Sequence, residues 1–77
     1  MNRIPVKSSN VASVGYDEAN QILEVAFKSG AIYQYPGVEP QTHADLMGAE
    51  SIGGFVHQNI VLGGFKGQRM DPSRENE

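Results

Sequence analysis

The side chains in this sequence with the means to hold a ligand fall into two groups. Tyr33 and Tyr35 alternate along one strand-like segment, so both rings project from the same face and can stack a flat base. Ser51-Ile52-Gly53-Gly54 stands where a helix should begin. It would turn backbone N–H groups toward a phosphate, with Lys28 or Lys66 adding positive charge. Each group also has a purely structural use: the tyrosines as core aromatics with hydroxyls at the rim, and Ser51 as a helix cap. The glycine pair is not a P-loop, because no Gly-Lys-Ser/Thr follows to grip a nucleotide.

Catalytic and metal chemistry find less to work with. His43 and His57 are the only histidines, 14 residues apart, and Asp45 is the carboxylate nearest His43 in sequence. A metal needs three or four convergent ligands, so neither a metal nor another cofactor is expected. No Ser-His-Asp or Cys-His pairing stands out, and a chain this short has little room for a concave catalytic pocket. The expectation is a binding module and not an enzyme.

The elements that must position these residues are few. The chain has 77 residues, nine acidic and six basic side chains, a net charge of −3 and no cysteine. A domain of this size buries only about 60% of the surface its unfolded chain exposes, so its stability margin is thin. Without cysteine there is no disulfide framework, which favours a reducing, cytoplasmic setting. No apolar run approaches the ~20 residues of a membrane span, and the N-terminal residues lack the apolar stretch of a signal peptide.

Three strands come first. Residues 11–16 are rich in β-favouring types and stop at Asp17-Glu18-Ala19-Asn20, where Asn20 is suited to positive φ. Residues 22–28 alternate, with Leu23, Val25 and Phe27 on one face, and Ser29-Gly30 makes a hairpin turn into residues 31–35. The period then changes. Pro40 suits a first helical turn, residues 41–49 form a short helix, and Ser51 caps a second running to about Asn59. The reading is an α+β domain of order β-β-β-α-α: a three-stranded antiparallel β-meander covered by two short C-terminal helices. Its expected core is Val14, Tyr16, Leu23, Val25, Phe27, Tyr33, Tyr35, Leu46, Phe55 and Ile60. Residues 1–7 read as a flexible N-terminus, 8–66 as the domain and 67–77 as a disordered tail, too polar to offset its ordering entropy.

Several runs resemble the KTSC domain. They are Ser8-Ser9-Asn10-Val11-Ala12-Ser13-Val14-Gly15-Tyr16-Asp17, Leu23-Glu24-Val25-Ala26-Phe27-Lys28-Ser29-Gly30, Tyr33-Gln34-Tyr35, and Ser51-Ile52-Gly53-Gly54-Phe55 leading to Asn59-Ile60. That family is named for the C-terminus of some lysyl-tRNA synthetases and also occurs as stand-alone small proteins of bacteria and their phages. The resemblance implies RNA binding by association with the synthetase. Its presence in phages implies a lower alternative, an accessory protein that sequesters a host signalling nucleotide. The sequence departs from the family where basic residues are common, carrying Ile52, Gly54, Gln58 and Val61 instead, and His43 where a tyrosine is common. Up to Lys66 the chain holds four basic against six acidic side chains, a poor balance for a general RNA binder.

The functional expectation is therefore a small binding module for a phosphate-bearing ligand, RNA or a nucleotide, seated by Tyr33, Tyr35, Ser51, Gly53, Gly54 and Lys28. Residues 60–65 are more apolar than a domain terminus needs. With Ile52, the side chains of Val61, Leu62 and Phe65 form a candidate interface for a homo-oligomer or a protein partner. A protein-interaction module with no nucleotide ligand is the alternative function.

Overall fold

A computed structural model of the chain describes residues 3–70. The strands are β1 (Arg3–Pro5), β2 (Val11–Asp17), β3 (Ile22–Phe27), β4 (Ile32–Pro36) and β5 (Gln68–Arg69). They form one antiparallel sheet in the order β1-β2-β3-β4-β5. Between β4 and β5 lie α1 (Pro40–Met47) and α2 (Ile52–Phe55), the latter continuing as a π-helical turn over Val56–Val61. The α+β class and the central meander agree with the sequence reading. The sheet, however, has five strands and not three.

Both added strands fall in segments read as flexible or disordered. β1 is recruited by a row of side chains across the open face, where the register aligns Arg3, Gly15, Glu24 and Gln34. Gly15 has no side chain, so the Arg3 guanidinium passes over it to Glu24 at 3.3 Å, and Gln34 Nε2 donates to the same carboxylate at 2.7 Å. Pro5 is tolerated because β1 is an edge strand. At the other edge Gly67 lies so close to the Tyr35 ring that an added Cβ would stand 2.6 Å from its Cε1. That approach brings Gln68 and Arg69 beside β4. Residues 1–2 and 71–77 of those two segments lie outside the described residues.

The core forms between the sheet and the helices. Val11, Val14, Leu23, Val25, Tyr35, Val38, Leu46, Val56 and Ile60 are buried. Val11 and Val14 both point inward, three residues apart, because a bulge interrupts the β2–β3 register between Val11 and Ser13. Val38 is buried in the loop before α1, where its N–H reaches Gln21 O at 3.0 Å and its carbonyl accepts from Tyr16 Oη at 2.6 Å. Tyr16, Phe27, Tyr33 and Phe55, all expected in the core, pack against it only partly buried. The positive φ of the β2–β3 turn falls on Gln21, at 56°, and not on Asn20, whose N–H and side chain bond Asp17 instead.

Candidate functional site

The β3–β4 hairpin and the segment before β2 build one side of a cleft. Ser8 Oγ accepts from the N–H groups of Asn10 and Val11, both at 3.2 Å, and so turns the chain into β2. Lys28 N–H then donates to Asn10 O at 2.8 Å, which fastens the end of β3 to that turn. Gly30, at φ 103°, closes the hairpin as its sequence suggests.

The opposite side is α2 and its π-helical continuation. Ser51 Oγ accepts from Gly54 N–H at 3.1 Å, an ordinary N-cap. Gly53 packs close to the turn before β2, since a Cβ there would stand 2.9 Å from Ser8 Oγ and push that hydroxyl aside. In the π winding Leu62 N–H reaches back five residues to His57 O at 3.0 Å. Residues five apart then stack, so Val56 and Val61 share one wall, a form of helix irregularity often found at functional sites.

The resulting cleft has a volume of about 380 Å³. Phe27, Val56 and Val61 give it apolar walls, while Asn10, Lys28 and His57 are among its polar groups. Phe27 and Val61 also line a second cleft of about 330 Å³, with Tyr33, Tyr35 and Phe65. There the Phe27 and Tyr33 rings meet edge to face at 6.0 Å, and Tyr33 lies offset against Tyr35 at 6.3 Å and 22°. Burial, with a smaller contribution from Tyr33, raises the Tyr35 phenol above its ordinary pKa, so it remains a neutral donor at pH 7. The two clefts meet along Phe27 and Val61.

The residues singled out from sequence are thus divided. Lys28 and Gly53 line the first cleft, and Tyr33 and Tyr35 the second. Ser51 and Gly54 line neither, and the Gly54 N–H offered to a phosphate is taken by Ser51. Ser9, Asn10, Phe27 and His57 line the first cleft and are not among the site residues the sequence suggests. The available signal was the Ser8-Ser9-Asn10 turn, whose meeting with the hairpin depends on the β2–β3 register. The proposed interface divides as well. Ile52 and Phe65 pack partly buried on the core, whereas Val61 and Leu62 are 45% and 64% exposed.

A five-stranded antiparallel sheet carrying two helices on one face, with a mixed polar and aromatic cleft between them, defines a small α+β domain. The chain belongs to the KTSC domain family, whose model matches residues 7–62. It is 45% identical over 71 residues to an uncharacterized protein of Stutzerimonas stutzeri strain A1501, covering 92% of this chain and 100% of that one. A protein of Tsukamurella paurometabola is 49% identical over 53 residues, covering 69% and 79% of the two chains. The crystal structure of a KTSC domain protein from Yersinia pestis superposes with a TM-score of 0.82 at 38% identity, covering 90% of this chain and 96% of that one. Among the described residues no helix is long and apolar enough to cross a membrane.

Proposed function

We propose that this chain is a non-enzymatic binding module that takes a phosphate-bearing ligand, a nucleotide or a short stretch of RNA, into the paired cleft. One arrangement carries the reading: a cation and hydrogen-bonding groups in one cleft, aromatic rings in the next, and Phe27 with Val61 common to both. Lys28 meets the phosphate, Asn10 and His57 add hydrogen bonds, and the Tyr33 ring takes the flat base. With Lys28 the only lysine or arginine lining the first cleft among the described residues, few phosphates are neutralised.

Titration with ADP and with a four-nucleotide RNA at two salt concentrations tests this. The expected salt slope is shallow, corresponding to about one or two phosphate contacts. Lys28→Gln should weaken binding roughly three- to tenfold with folding unchanged, in line with the loss of one charge-assisted bond. Equal affinity of the wild type and Lys28→Gln would contradict the assignment.

A second reading, self-association, is favoured by the exposure of the adjacent side chains Val61 and Leu62. Sedimentation should then show an oligomer that Val61→Glu with Leu62→Lys converts to monomer. A wild-type chain that stays monomeric at high micromolar concentration removes this reading.

A further inference from the structure

A separate groove lies at the far end of β2 from the paired cleft. Its volume is about 320 Å³, and Ile4 of β1, Tyr16 of β2, Glu18 of the following turn, and Pro40 and His43 of α1 line it. Three observations set it apart. Ile4 is 60% exposed although it pairs with Val14, whose side chain is buried in the core. The Tyr16 and His43 rings are stacked with centroids 4.5 Å apart and planes within 9°. Among the described residues the formal charge lining the groove is negative: Glu18 is there, and neither lysine nor arginine is.

The carboxylates around Tyr16 carry the same sign. The Tyr16 phenol is raised above its ordinary pKa, first by burial and then by the carboxylates of Glu18, Glu39 and Asp17. Desolvation lowers the pKa of His43 despite the opposing pull of Glu18, so its imidazole is neutral at pH 7 and adds no positive charge. Arg3, next to Ile4 in the chain, is turned to the opposite face of the sheet by its ion pair with Glu24.

We propose that this groove docks an arginine or lysine side chain from a basic peptide segment of a partner protein. The aliphatic stem lies against Ile4 and Pro40, and the cationic head sits beside Glu18 and the stacked aromatic pair. Charge complementarity selects this occupant. An anionic segment would be repelled by Glu18, and a wholly apolar one would bury that carboxylate without a partner. Long basic side chains are suited to such a site because they cover apolar surface while keeping their charge beside a carboxylate. The proposal is independent of the ligand assigned to the paired cleft.

The test is a chemical-shift titration of the full chain at low salt with a blocked six-residue peptide containing two arginines. The same peptide with citrulline in their place, and spermidine, run in parallel. The arginine peptide should shift Gly15, Tyr16, Glu18 and His43 saturably, and the citrulline peptide should not. Glu18→Gln should weaken binding about three- to tenfold, while Glu50→Gln, outside the groove, should leave it unchanged. Glu18 is exposed in a turn, so the spectrum of Glu18→Gln should remain that of the folded chain. Equal binding by the citrulline peptide, or no effect of Glu18→Gln, would overturn the proposal. So would spermidine binding as tightly as the peptide, which would make the groove a site for small polyamines.

Discussion

Replacing Leu23 by alanine is expected to destabilise the domain by about 2–5 kcal/mol, enough to leave much of a 77-residue chain unfolded at room temperature. Leu23 is completely buried in the central strand β3, between Tyr16 on β2 and Tyr35 on β4, so its removal leaves a cavity that the sheet cannot close. Phe27, on the same strand face, ends in the paired cleft and is only partly buried. Despite its larger side chain, Phe27→Ala should therefore cost less than Leu23→Ala. Urea denaturation of the two variants checks the order. A larger loss for Phe27→Ala would mean that the cleft is closed in solution and Phe27 belongs to the core.

Gly63→Ala should be the most damaging of the small substitutions, costing about 1–3 kcal/mol. A Cβ at this position would run into the backbone carbonyl oxygen of Asn59. Backbone cannot rotate aside as a side chain can, so the end of the π-helical turn must shift. That turn holds Val56 and Ile60 in the core and Val61 in the cleft wall. Gly48→Ala provides the contrast, since its Cβ would meet Ala44 O at an ordinary 3.6 Å and should change stability by no more than about 0.5 kcal/mol. At a thermal midpoint shift of roughly 4–8 °C per kcal/mol for a chain this size, melting curves separate the two. Equal midpoints for the two variants would contradict the close approach at Gly63.

The meander was legible because Leu23, Val25 and Phe27 alternate with Glu24, Ala26 and Lys28, and Gly30 marks the hairpin. Strict alternation from Val14 places Val11 on the wrong face, and only the bulge between Val11 and Ser13 returns it to the core. Val38 has no periodic neighbours, and its burial goes with two long-range hydrogen bonds, its N–H to Gln21 O in the β2–β3 turn and its carbonyl from the Tyr16 hydroxyl on β2. Ile60 was expected in the core, and the second helix was visible from the Ser51 cap. The π winding that carries Val61 to the cleft was not, because a 3.6-residue period does not contain it. β1 escaped notice because it is held by Arg3 crossing Gly15 to Glu24, a contact of the folded register with no local signal. At the candidate site Lys28, Tyr33 and Tyr35 stood out by type. Asn10 and His57 enter only through the meeting of the β2 entry, the β3–β4 hairpin and α2.

A chemical-shift map of the full chain titrated with ADP decides whether the paired cleft holds a ligand. Saturable shifts are expected, centred on Asn10, Lys28, Gly53, His57 and Val61 and extending to Tyr33 across Phe27. Shifts confined to Ser51 and Gly54, or no shift in either cleft at millimolar ADP, would contradict the cleft assignment.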